Sequence, residues 1–163
     1  RILQGMKDQY LLAYIQPVFI DLDMNTVEPA IGAQRMDKVY AWKSMLDMGI
    51  HTSGGSDAPV VSFDAMENIY FAVTRKNISG QPQEGWIPSE KISVDEAVKL
   101  FTKNAAYASY TEDENGTIEV GKNADFVVLE KNIYEIDPDE IKATKVDMTV
   151  LGGEIVYERE VEE

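Results

Sequence analysis

Cysteine is absent from this chain of 163 residues, which excludes disulfides, thiolate zinc sites and a cysteine nucleophile. That absence fits a reducing compartment, and the cytoplasm is the expected location. Basic residues are scarce: 15 Lys and Arg face 29 Asp and Glu, for a formal charge of −14. No Lys/Arg cluster stands out, so phosphate backbones and anionic membranes meet general repulsion. Neither nucleic acid nor a membrane is an expected partner. No run approaches the roughly 20 apolar residues that a membrane helix needs. The opening Arg1-Ile2-Leu3-Gln4 lacks an initiator Met, a signal pattern and a transit-peptide bias. It starts inside an amphipathic helical pattern, from which we expect a piece of a longer protein.

What is present reads as a folded α/β chain. Hydrophobic residues make up 44% and charged residues 27%, with no repetitive stretch, which is not the profile of a disordered tail. Helical spacing runs from Ile2 towards Ala13, and Tyr14 to Ile20 reads as a buried strand limited by Pro17. A long excursion over Asp21 to Gln34 precedes a helix expected from Arg35 to Met48, ended by Gly49. A brief strand at Ile50 to Ser53 leads into Gly54-Gly55-Ser56-Asp57-Ala58-Pro59 and then a helix from about Asp64 to Lys76. This alternation is the rhythm of βαβ units around a parallel sheet or barrel. Ser93 and Glu96 form a capping box for a helix expected to extend to Ala108.

After Asn115-Gly116 the pattern changes to short strands. Thr117 to Val120, Asp125 to Leu129, Lys145 to Leu151 and Glu154 to Arg159 are expected strands, with Gly152-Gly153 a two-residue hairpin turn. A short helix is expected to begin at the Asp137-Pro138 cap, and Glu158 to Glu163 reads as a charged, frayed end.

Chemical potential concentrates in the loop around Asp57. In parallel α/β architectures functional residues gather where strands end, and two glycines here permit close backbone approach. A carboxylate so placed can ligate a metal, act as a general base or accept a phosphoryl group. It can equally cap the following turn.

Several segments taken together carry a resemblance. They are Gln16-Pro17, Gly54 to Val60, Gly85-Trp86-Ile87-Pro88, Thr102 with Asn104-Ala105-Ala106, Gly116 to Leu129, and Val150 to Tyr157. In this order and spacing the chain resembles the carboxy-terminal part of the amidohydrolase superfamily, in particular amidohydrolase family 3 and its formamide-deformylase-like branch. The resemblance implies a (β/α)8 barrel joined to a small antiparallel β-sandwich. Residues 1–115 would supply the last strands and helices of the barrel, and residues 116–163 would supply strands of the sandwich. It further implies hydrolysis of an amide-type C–N bond in a small molecule, using water activated by a divalent metal such as zinc. Asp57 would be a metal ligand that also takes a proton from that water.

The ligands such sites draw from earlier strands, a His-x-His pair above all, are missing from these residues. The lone His51 lies six residues before Asp57, roughly 20 Å away if the strand is extended. A lone carboxylate does not hold a catalytic ion, and a full barrel takes about 250 residues. We therefore expect these residues alone to be inactive and to bind no stoichiometric metal. An incomplete barrel with uncovered faces also favours a homodimer.

Three further residues are candidate substrate contacts. Gln16 either points into the barrel or satisfies backbone groups. Arg35 either anchors a substrate anion or sits on the surface, and Trp86 either lines a pocket or anchors its loop. Asp125 reads as fixing the turn into its strand, and Asp21 and Asp23 as a solvated acidic pair. Two rival readings stay open. One is a non-catalytic regulatory or scaffold module derived from the hydrolase; the other is a phospho-acceptor signalling domain using Asp57.

Overall fold

The computed structural model describes residues 1–160. Its elements are α1 (Ile2–Asp8), β1 (Ala13–Ile15), α2 (Phe19–Asp23), α3 (Val27–Ile31), α4 (Trp42–Asp47), β2 (Thr52–Gly54), α5 (Ala65–Thr74), α6 (Val94–Phe101), α7 (Lys103–Ala108), β3 (Phe126–Leu129), β4 (Val146–Leu151) and β5 (Glu154–Glu158). Two separate sheets result. β1 and β2 pair in parallel, Ala13 opposite Thr52 and Ile15 opposite Gly54. The second sheet is antiparallel, in the order β3-β4-β5. No helix among the described residues is long and apolar enough to cross a membrane.

The expected strand from Tyr14 to Ile20 stops at Ile15. Pro17 has no N–H to give to a neighbouring strand. The amides of Phe19 and Ile20 instead reach back to the carbonyls of Gln16 and Pro17 at 3.1 Å each, turning the chain into α2. The helix expected over Arg35 to Met48 is also broken. Ala33–Lys38 is a 3₁₀ segment, Val39 is extended, and α4 begins only at Trp42. Between them Tyr40 occupies left-handed backbone space at φ 49°, which no α-helix of L-residues accommodates.

Local signals placed the later helices well. Asp64 caps α5 by accepting from the amides of Met66 and Glu67 at 2.8 and 3.3 Å. At α6 the Ser93 hydroxyl accepts from the Glu96 amide while the Glu96 carboxylate accepts from the Ser93 amide at 2.8 Å. The helix does not run unbroken to Ala108, because Thr102 leaves helical space and its hydroxyl bonds back to the Val98 carbonyl at 2.9 Å. The turn swings α7 onto β2, where the Asn104 side-chain amide donates to the Thr52 carbonyl at 2.9 Å.

The core gathers around α5 and α6. Tyr70, Ala97 and Leu100 are fully buried, together with Ile20 from α2 and Ile141 from the 3₁₀ segment Pro138–Ala143. That last segment starts at the expected cap, with the Asp137 carboxylate accepting from the Asp139 amide at 2.9 Å. It docks on α5 through Ile141, the Lys76–Asp139 ion pair at 2.7 Å, and Lys142, whose ammonium lies 4.4 Å from the Tyr70 ring centre.

Gly152 and Gly153 turn β4 into β5 with φ of 59° and 86°, the two positive values a tight hairpin requires. Asp125 accepts from the Gly152 amide at 2.6 Å and so fixes that turn. Thr117 to Val120, expected as a strand, forms none, and Ile118 and Val120 stand in solvent. All five residues of β5 are exposed, and so are Val127, Val128 and Leu151, leaving an apolar sheet surface uncovered. The expected frayed end is ordered at its start: Arg159 pairs with Asp147 at 2.5 Å and Glu130 at 3.2 Å. Residues 161–163 of that end lie outside the described residues.

Candidate functional site

Because β1 and β2 run parallel in register, both release their chains at one edge. The Gly55 amide donates to the Ile15 carbonyl at 2.9 Å, holding the two exits together. Gln16 follows β1 directly and is half-buried; Gly55-Ser56-Asp57 follows β2. Asp57 takes a left-handed conformation at φ 60° and is exposed. Its carbonyl, not its carboxylate, closes the next turn by accepting from the Val60 amide at 2.9 Å. The cap of α5 is supplied by Asp64. The carboxylate of Asp57 is thus left accessible at the carboxyl edge, where a parallel sheet presents ligands.

The other candidates are not gathered there. Arg35 is exposed on the 3₁₀ segment of the excursion, held by its own amide to the Gly32 carbonyl at 3.0 Å. Trp86 packs 5.6 Å from the Tyr40 ring and 5.8 Å from the Arg75 guanidinium. His51 sits at the opposite, amino edge, with Nε2 3.0 Å from the Asn104 carbonyl and its ring 4.2 Å from Tyr107. Asp21 and Asp23 are engaged within the protein, accepting from the Ile78 amide at 2.7 Å and from the Tyr40 hydroxyl respectively. An apolar groove of about 540 Å³ lies between α5, α6 and the antiparallel sheet, lined by Met66, Phe101, Phe126 and Val150 among others. Neither Gln16 nor Asp57 lines it.

These residues do not amount to a metal site by themselves. Among the described residues no three His, Asp or Glu side chains are gathered to hold an ion. The chemistry of Asp57 suits one ligand, an accessible carboxylate on a loop that follows β2 and turns through the Val60 amide.

The amidohydrolase family model matches residues 3–157, nearly the whole chain. The chain belongs to the amidohydrolase family. It is 38% identical over 145 residues to the amidohydrolase YtcJ of Bacillus subtilis, covering 89% of this chain and 27% of that protein. It is 35% identical over 122 residues to the N-substituted formamide deformylase of Arthrobacter pascens, covering 75% and 22% respectively. Among solved structures, a metal-dependent hydrolase from Pyrococcus horikoshii OT3 shares the fold with a TM-score of 0.74 at 21% identity, over 84% of this chain and 28% of that one. The chain thus spans about a quarter of the length of these relatives. Metal dependence is general among such hydrolases.

One cluster in this amidohydrolase-family chain escaped the sequence reading. Arg75, at the end of α5, is fully buried. Its Nε donates to the Trp86 carbonyl at 2.6 Å and its Nη1 to the Tyr40 carbonyl at 3.0 Å. The guanidinium carbon lies 4.6 Å from the Trp42 ring centre. Burial pushes its pKa down to about 10, partly opposed by the charge of Glu90. Burial, with help from Asp23, likewise raises the Tyr40 hydroxyl above its ordinary value. The available signal was the unbroken apolar run Ile69 to Val73, which covers every side of the last turns of α5 and so carries an Arg at the helix's end inside.

Proposed function

We propose that this chain is the carboxy-terminal part of a metal-dependent amidohydrolase that cleaves an amide-type, non-peptide C–N bond in a small molecule. The observation that carries the reading is the accessible Asp57 carboxylate at the carboxyl edge of the parallel β1–β2 pair, beside Gln16. In this reading residues 1–115 are the last strands and helices of a (β/α)8 barrel, and residues 116–163 contribute strands to a β-sandwich. The uncovered apolar surface of β3–β5 supports that assignment, because a sandwich sheet needs a second layer. Asp57 is one ligand of a divalent ion, with zinc as the proposed metal, and the acceptor of a proton from the attacking water. Gln16 lines the substrate side of the same edge. Trp86 anchors its own loop against Tyr40 and Arg75. The other ligands come from sequence outside these residues. The protein works in the cytoplasm, and the relative named for N-substituted formamides supports an N-substituted amide as substrate.

Elemental analysis and turnover test this together. The purified chain is expected to carry no stoichiometric zinc and to release no amine from N-substituted amides. The longer protein that contains it is expected to carry zinc and to release the amine. There, Asp57→Asn lowers kcat by about 10²–10⁴, the range for a lost acid–base group. One tightly held zinc per isolated chain, or full activity in the Asn variant, overturns the reading.

A further inference from the structure

We infer that Arg75 is a positioning residue that latches the excursion after β1 to the loop after α5, and so fixes the backbone that leads away from Gln16. The whole segment from residue 17 to residue 41, which contains the excursion Asp21 to Gln34, leaves β1 one residue past Gln16 and carries Arg35. α5 and its exit grip it along its length. The Val18 amide donates to the Asn68 side chain at 3.2 Å, and Asp21 accepts from the Ile78 amide at 2.7 Å. Arg75 holds its far end through the Tyr40 carbonyl. Its other arm holds the following loop, because Nε donates to the Trp86 carbonyl while the Arg75 carbonyl accepts from the Trp86 amide at 2.7 Å.

The chemistry of this site favours geometry over simple stabilisation. A buried cation is costly unless it is well paired. Here the partners are two backbone carbonyls and aromatic faces, and Nη2 has no hydrogen-bond partner. Nearby Glu90 is committed elsewhere, accepting from the Ser44 amide at 2.9 Å and from the Ser44 hydroxyl. A planar fork reaches two carbonyls at a fixed separation while stacking on rings, which an ammonium cannot reproduce. Tyr40 closes the cage, its ring 5.6 Å from both Trp42 and Trp86.

Both tryptophans of the chain lie in this cage, so their emission and near-ultraviolet dichroism report on it directly. The experiment compares wild type, Arg75→Met and Arg75→Lys by these signals and by hydrogen exchange. In the Met variant, exchange over residues 17–41 and 77–91 is expected to rise about tenfold or more, as local opening does when its anchoring bonds are lost. Protection in β3–β5 stays within about twofold, since those strands lie outside the opened unit. The Lys variant follows the Met variant in tryptophan signal. Should Arg75→Met not fold, Arg75→Lys alone decides by the same pattern. Unchanged exchange in the excursion, a uniform loss of protection that includes β3–β5, or full rescue by Lys overturns the proposal.

The effect on turnover rests on the hydrolase reading. In the longer, metal-loaded protein Arg75→Lys raises KM about tenfold with kcat within about threefold, as lost uniform substrate binding does. The pH profile is unmoved. An equal fall in kcat overturns the positioning role. Absence of hydrolysis in wild type overturns the hydrolase reading, and the exchange pattern still decides the latch.

Discussion

Substituting alanine at three glycines separates backbone strain from steric exclusion in the loop that Arg75 anchors. Gly85 has φ 79°, and a Cβ there would lie 2.3 Å from the Thr74 carbonyl oxygen and 2.8 Å from a Lys91 side-chain carbon. Gly80, in the same loop, has φ 82° with open space around it, and Gly5 in α1 also has open space and no positive φ. Placing alanine in left-handed space costs roughly 1–2 kcal/mol, which is the whole expected effect of Gly80→Ala. At Gly85 the backbone oxygen cannot yield as a side chain can, adding about 1–3 kcal/mol of overpacking. Gly85→Ala is therefore expected to lose about 2–5 kcal/mol, while Gly5→Ala gains about 0.5–1 kcal/mol from helix propensity. Urea unfolding followed by far-ultraviolet dichroism reads all three. With an m-value of about 2 kcal/mol/M, the midpoint of Gly85→Ala falls by about 1–2.5 M and that of Gly80→Ala by about 0.5–1 M. Equal midpoints for these two variants would refute the steric argument, and with it the close approach of residue 85 to the end of α5.

Two further outcomes follow from charge and surface. Burial alone would raise the Glu96 carboxyl, but the Ser93 amide and hydroxyl and the Lys43 ammonium outweigh it and hold it below its ordinary value of 4.5. A carboxyl depressed on folding contributes stability above its unfolded pKa and loses it as pH falls through the folded one. Glu96→Gln should thus flatten part of the stability loss below about pH 4.5, measured by urea midpoints from pH 3 to 6; an unchanged acid slope counts against the capping box. The uncovered apolar surface of β3–β5 predicts association into dimers, checked by sedimentation at several concentrations; a monomer at every concentration tested would contradict it.

What the sequence made legible was local. The Ser93–Glu96 box, the Asp137-Pro138 start and the Gly152-Gly153 turn each depend on residues within four positions, and each stands where the pattern placed it. The parallel placement of β1 and β2, with the Asp57 loop after the second of them, followed from the alternation of strand and helix. Features set by distant partners were hidden. Tyr40 interrupts an otherwise helical pattern while its carbonyl serves Arg75 from 35 positions away. The break at Thr102 accompanies Asn104 reaching the Thr52 carbonyl, 52 positions away. His51, placed by its spacing only as far from Asp57, takes its partner from α7, 53 positions on. Periodicity cannot announce such pairings, because nothing in the local pattern distinguishes a side chain that will meet them from one facing solvent.

The outermost strand β5 has a consequence for how copies of this chain meet. Its free edge reads Glu154-Ile155-Val156-Tyr157-Glu158. A second copy adding antiparallel, centred on Val156, would place Glu154 of each chain opposite Glu158 of the other. Two such confrontations of like charge oppose the pairing at both ends, although the three residues between them are strongly strand-forming. The strand is therefore guarded against growth into an open-ended ribbon. Neutralising both glutamates, by acid or by Glu→Gln, removes that guard and turns a contained contact into a template for fibrils.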